Sequence, residues 1–149
     1  MQLNPGTEKL AVDATGYLSL TGEPDGPPAR AGLSIIDFMT GTTAAMGLLA
    51  GIVSARASGV GRDVDVSLYG VAMHNLSYLA TWYLNQGVVT GRTARSGHPS
   101  LVPSELYRTQ DGWIFIMCNK EKFWGVLCQC IGRPEWADAP EFRTFPDRL

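Results

Sequence analysis

Residues 38–57, FMTGTTAAMGLLAGIVSARA, leave a chain few choices. Apolar and small side chains recur there at helical spacing through Met39, Ala45, Met46, Leu49, Ile52 and Val53. Little polar surface interrupts the run, which predicts a buried helix rather than one lying on a surface. Glycine weakens a helix interior by about 1 kcal/mol relative to alanine. Gly41, Gly47 and Gly51 nevertheless fall inside this one, so another backbone or a ligand is expected to come close. The longest apolar stretch, Ala44 to Ala55, is short of the roughly 20 residues that span a bilayer, and no membrane partner is expected.

Residues 1–10 are polar without a clear period, and residues 11–20 are moderately apolar. The Gly/Pro cluster TGEPDGPPARAG at 21–32 predicts a loop with fixed turns. After the helix, SGVGRD at 58–63 reads as a turn, and VDVSL at 64–68 alternates like a strand. Helix, turn and strand in that order predict an α/β unit. Residues 69–86 form a second predicted helix, striped by Val71, Leu76, Leu79, Trp82 and Tyr83 and stopped by Gly87.

A turn-rich stretch, TGRTARSGHPSLVPS at 90–104, shifts the composition and divides the chain into domains at 1–90 and 91–149. Beyond it, strands are expected at 105–109 and 113–118, joined at Asp111–Gly112 as a hairpin. Asn119 is placed as the cap of a helix KEKFWGVLCQCI, with Phe123, Trp124, Leu127 and Ile131 as its apolar positions. Gly132 and Pro134 end that helix, and Trp113 and Trp124 read as core residues of the smaller domain. The tail EWADAPEFRTFPDRL reads as short helices and loops with no closing element, as in a cut chain.

The net charge is −2 and the basic residues are dispersed, so no nucleic-acid partner is expected. Cys118, Cys128 and Cys130 fit no zinc framework, and no metal is expected. Reduced thiols and an N-terminus without a signal pattern point to the cytoplasm.

Asp37 opens the small-residue helix. A carboxylate there can cap the helix by accepting first-turn N–H groups. It can also act as a covalent nucleophile, with backbone N–H groups of Gly-rich turns serving the oxyanion formed in acyl transfer. The residue pattern alone leaves both roles open.

Four stretches resemble the class III CoA-transferase family, which includes formyl-CoA transferases, carnitine CoA-transferases and 2-methylacyl-CoA racemases. They are TGEPDGPP before Asp37, Asp37 with the small-residue helix ending at Arg56, SGVGRDVDVSL, and RSGHPSLVPSELYRTQDGWIFIMCNKEKFWGVLCQCIGRPEW. Arg62–Asp63 departs from the family's usual Gly-Gln. The resemblance covers roughly residues 12–149, and residues 1–11 match poorly.

The resemblance implies an α/β fold: part of a Rossmann-like large domain with a linker helix, plus the beginning of a smaller α+β domain, from an interlocked homodimer. It implies CoA transfer between an acyl-CoA and a carboxylic acid acceptor through an aspartyl intermediate at Asp37. CoA and acyl-CoA would be substrates, with no permanently bound cofactor. Gly41 and Leu68 are the candidate CoA-binding positions, the one as an approach for substrate and the other as a lining side chain, with helix packing and core burial as their structural alternatives. A racemase that moves the α-proton, and a non-catalytic remnant, are the competing functions. His98 and His74 read as structural, and Arg56, Arg62 and Arg95 as solvated charge. The piece alone is expected to expose apolar surface, associate, and show little activity.

Overall fold

The computed structural model describes residues 15–149, and the reading of residues 1–11 lies outside them. Residues 15–20 and 29–90 pack as one compact unit, and residues 21–28 and 91–149 as another.

The first unit is helical. Helix α1 runs over Ile35–Ser58, α2 over Leu68–Asn75 and α3 over Ser77–Gln86. Gly59 and Gly87 take left-handed backbone conformations and end α1 and α3, each donating its N–H to the carbonyl four residues earlier. The chain then turns so that α2 packs on α1. Val64 fixes this packing: a Cβ added at Gly47 would stand 2.7 Å from its Cγ1, and one at Gly51 3.4 Å from its Cγ2. Gly47 therefore makes room for a side chain, not for the backbone or ligand that its place in a helix predicts.

Three expectations change here. Helix α1 is not buried: Ile36 is its one fully enclosed side chain, whereas Phe38, Leu49 and Val53 are 69%, 63% and 67% exposed. Beyond the stripe that α2 and Val64 cover, its faces have no covering element among the described residues of this unit. Its 24 residues are also long and apolar enough to cross a membrane by length and composition, which Ala44–Ala55 alone understates. The same properties describe a helix made to be enclosed by protein.

VDVSL forms no strand. Residues 60–67 run irregularly, and the first unit has no strand among its described residues, so the α/β unit is not formed there. β-Branched residues favour an extended chain, but a strand needs a neighbour for its N–H and C=O groups. Ser67 instead caps α2, its Oγ accepting from the Gly70 N–H at 3.0 Å.

The single helix expected over 69–86 is two. Asn75 donates its side-chain amide to the Val71 carbonyl, and Ser77 adopts a left-handed φ of 51°. Asn and Ser compete with the helix for backbone partners, and the helical path breaks between them.

The second unit is built on the hairpin. Strand β1 (Ser104–Arg108) pairs antiparallel with β2 (Trp113–Met117), Leu106 opposite Phe115. Thr109 N–H donates to the Gly112 carbonyl across the turn, and Thr109 Oγ1 donates to Asp111. Helix α4 (Glu121–Cys130) follows, capped by Lys120 and not by Asn119. It buries Trp124 and Cys128 and leaves Cys130 in solvent, as an i, i+2 pair on a helix must. Trp113 is 58% exposed and so is not core; its face of the hairpin is uncovered. The tail forms three short 3₁₀ turns at Pro134–Ala137, Pro140–Phe142 and Pro146–Arg148.

Arg148 closes this unit. Its side chain is 2% exposed, its guanidinium donates to the Val102 and Phe142 carbonyls, and it pairs with Glu121 at 2.6 Å. The same group lies 5.0 Å from the centroid of the Trp124 ring. Trp124 Nε1 donates to the Trp136 carbonyl, so the buried indole leaves no donor unpaired.

Candidate active site

Helix α1 begins two residues before Asp37. Its cap is Ser34, whose side chain makes no capping bond, and Asp37 occupies the third helical position. The capping role expected of Asp37 is thus displaced, because Ile35 and Ile36 already belong to the helix. The carboxylate is exposed in the first turn, where the helix dipole favours negative charge. Arg30 stands beside the cap, Nη2 donating to Ser34 Oγ at 3.1 Å.

Asp37 opens onto a shallow recess lined by Ser34, Asp37, Phe38, Gly41, Thr42 and Ala45. Positions 37, 41 and 45 form one i, i+4 row, so two small residues follow the carboxylate along the helix surface. A Cβ at Gly41 would meet nothing within 4 Å, which makes this glycine a matter of access rather than packing. Asp37 and Gly41 are thus brought together. Leu68 is not with them: it is the first residue of α2, half-buried, and outside the lining of this recess.

Three threonines in the first half of α1, of which Thr42 lines the recess, turn their hydroxyls inward to their own helix. Thr40, Thr42 and Thr43 donate to the carbonyls of Ile36, Phe38 and Met39 at 2.7, 2.9 and 2.9 Å. Such back-bonding satisfies the hydroxyl and leaves the methyl to face outward. A second groove, on the other side of the Phe38–Thr42 ridge, is lined by Ile35, Met39, Thr43, Met46, His74 and Asn75 as well as those two. His74, structural by its sequence context, faces this groove; only the return of α2 along α1 brings it here.

A third opening on α2 and α3 is lined by Leu20, Met73, Leu76, Leu79, Tyr83 and Leu84 among others, and its only side-chain polar groups are hydroxyls. It lacks an acid–base pair.

In the second unit, His98 is structural as expected, its Nδ1 accepting from the Ser100 N–H at 3.1 Å, and burial pushes its pKa below the usual histidine value. Arg95 is more than solvated charge. It pairs with Glu105 at 2.8 Å, and its backbone N–H donates to the Glu23 carboxylate while φ stands at 54°. Arg92 donates to the Gly26 carbonyl at 2.6 Å. These contacts tie residues 21–28 to the second unit, and no local sequence signal announces them. No cluster of metal-ligating side chains occurs among the described residues.

A family model for CoA-transferase family III matches residues 2–149, further toward the N-terminus than the motifs at 12–149 indicate. The chain belongs to that family. It is 35% identical over 134 residues to the succinyl-CoA–D-citramalate CoA-transferase of Chloroflexus aurantiacus, covering 89% of this chain and 33% of the relative. It is 30% identical to the succinate–glutarate CoA-transferase of Agrobacterium fabrum, covering 97% of this chain and 36% of the relative. Among solved structures, a CaiB/BaiF family protein from Brucella suis matches with a TM-score of 0.72 at 25% identity, covering 98% of this chain and 40% of that one. A hypothetical protein from Mycobacterium tuberculosis matches with a TM-score of 0.78 at 26% identity, covering 97% of this chain and 37% of that one. The chain thus spans about a third of the length of the curated relatives it matches. The fold they share with it is a mix of helices and a small sheet, and CoA transfer is the activity the curated relatives' names have in common.

Proposed function

We propose that this chain carries the nucleophile of a CoA-transferase that moves CoA from an acyl-CoA to a carboxylic acid. The observation that carries the reading is an exposed carboxylate in the first turn of a long helix, beside a row of small residues, in a chain of the CoA-transferase family.

The steps balance with Asp37 alone as the covalent group. A carboxylate oxygen of Asp37 attacks the thioester carbonyl, the C–S bond breaks, and a mixed anhydride and a CoA thiolate result. The thiolate attacks the aspartyl carbonyl and expels the first acid as a carboxylate, leaving an aspartyl–CoA thioester. The acceptor carboxylate attacks that thioester, forming a second anhydride and releasing thiolate again. Thiolate attack on the acceptor's acyl carbon yields the new acyl-CoA and restores Asp37. First-turn N–H groups of α1 face the end where oxyanion charge develops. A homodimer in the cytoplasm is the form we assign to the active protein; the exposed apolar faces of α1 support a covering partner or further chain.

The test uses the full-length protein. Incubated with acyl-CoA and then hydroxylamine, it should yield a hydroxamate at Asp37 by mass spectrometry. Asp37→Asn should lose at least about 10³-fold in CoA exchange, on the scale of removing a nucleophile, with its melting temperature nearly unchanged. CoA exchange that persists without any Asp37 adduct would overturn the covalent route. Deuterium entering the α-carbon without CoA exchange would mark a racemase instead.

A further inference from the structure

The side chains around Asp37 hold few hydrogen-bond donors. The recess is lined by Ser34, Asp37, Phe38, Gly41, Thr42 and Ala45. An ionised carboxylate only accepts, and Phe38, Gly41 and Ala45 carry no polar side-chain atom. The Thr42 hydroxyl already donates its proton to the Phe38 carbonyl at 2.9 Å. Ser34 is therefore the one lining side chain with a proton to give. It is half-buried and stands at the capping position of α1, where a serine ordinarily accepts from a first-turn N–H. Its side chain makes no such bond. Its Oγ accepts from Arg30 Nη2 instead, at 3.1 Å, and no acceptor for its hydroxyl proton occurs among the described residues. Arg30 is steadied in turn by Nη1 donating to the Ala31 carbonyl at 3.1 Å.

A hydroxyl that accepts from a cation is a better donor for it, because hydrogen bonds in series polarise one another. Ser34 and Asp37 are three residues apart and share the recess, so a carbonyl under attack by Asp37 comes within reach of Ser34. We propose that Ser34 is a catalytic residue whose O–H donates to the oxyanion formed when Asp37 attacks the thioester. Arg30 is the positioning residue that aims and polarises this hydroxyl. The assignment rests on Asp37 being the site of acyl transfer. As an Asp37 oxygen bonds to the acyl carbon, the carbonyl electron pair moves onto the carbonyl oxygen. The Ser34 proton bridges to that oxygen without leaving Ser34. Collapse restores the carbonyl, breaks the C–S bond and expels the CoA thiolate. A serine bonded to its own helix end could not serve in this way, which gives the missing cap a use.

The experiment measures acylation of Asp37 in the full-length protein, as thiol release and hydroxamate yield, with succinyl-CoA and acetyl-CoA as donors. Ser34→Ala should lower kcat by about 10²-fold, the scale of one lost oxyanion donor, with KM and melting temperature nearly unchanged. Ser34→Thr keeps a hydroxyl and should recover most of the rate. Ser34→Gly separates chemistry from capping, since glycine ends a helix almost as well as serine but has no hydroxyl. It should lose as much rate as Ser34→Ala. Arg30→Met should slow the wild type by about tenfold, within the range of coupled neighbours, and should change nothing further on the Ser34→Ala background. If Asp37 adducts form and Ser34→Gly keeps the wild-type rate, the hydroxyl plays no part, and the Ser34 assignment fails while the transfer reading stands. If Arg30→Met costs the same on both backgrounds, Arg30 does not act through Ser34 and its positioning role falls. If neither donor yields an Asp37 adduct in the wild type, the transfer reading fails and takes the Ser34 assignment with it.

Discussion

The two units bury their apolar residues in different ways. In the first, three helices share a core made of little more than Ile36, Val71 and Ala72, while large side chains such as Leu84 and Val89 stay about 80% exposed. In the second, Trp124, Cys118 and Cys128 are enclosed by a hairpin, one helix and a tail that the Arg148 guanidinium fastens in place. A small unit with one buried indole and a satisfied cation carries its own closure. A helical unit with open faces encloses little of its own apolar surface. The residue proposed for chemistry sits in the open unit, where a substrate can enter.

Variants can break this contrast, beginning with the largest effect. Trp124→Ala should destabilise the second unit by about 3–5 kcal/mol, read by urea unfolding with hydrogen exchange resolving the units. Protection of α1 should be unaffected, and a uniform loss across both units would show that they fold as one. Arg148→Met should cost about 2 kcal/mol, because two carbonyls lose a donor while Glu121, half exposed, regains water.

In the first unit the expected effects are smaller. Gly47→Ala should cost about 1 kcal/mol, since the new methyl meets stiff Val64. Val64→Ala in the same chain should remove the collision and expose the alanine's helix preference as a net gain. Gly41→Ala has open space and should stabilise by up to about 1 kcal/mol, while slowing acylation of Asp37 if substrate passes there.

The smallest effects are in pH. Burial lowers the His98 pKa, so the unfolded chain binds more protons than the folded one between the folded value and about 6.5. Stability of the second unit should fall as pH drops through that window, and His98→Gln should flatten the slope. Tyr107 runs the other way: burial and its hydrogen bond to Glu105 push it up to about 12. Its contribution is intact below about 10 and is lost as pH rises through the folded value; Tyr107→Phe should remove that alkaline slope.

Much of the second unit is legible from local pattern. The Asp-Gly turn between β-rich runs marks the hairpin, and the spacing of Trp124, Leu127 and Ile131 marks its helix. In the first unit, local pattern fails wherever the outcome depends on a neighbour. Val64 and Val66 carry strand propensity, but no second strand pairs with them among the described residues. Helical small-residue patterning locates α1, yet apolar content predicts burial that nothing in this unit supplies. The break at Asn75–Ser77 comes from side chains capturing backbone partners, which composition does not reveal. Within the site, Asp37 and Gly41 are visible as a helical row. The place of His74 in the neighbouring groove is not, since it depends on how α2 returns along α1.

The Arg92–Gly26 and Arg95–Glu23 bonds have a consequence for the chain as a string. They hold residues 21–28 against residues 92–95 within the second unit, so both stretches that flank residues 29–90 belong to that one unit. In engineering terms residues 29–90 are an insertion between two stretches that already hold each other. A chain of residues 21–28 and 91–149, with a short flexible linker bridging Pro28 to Gly91, should yield a self-standing miniature of the second unit. Different helical inserts carried on that frame would change the chemistry without disturbing the frame.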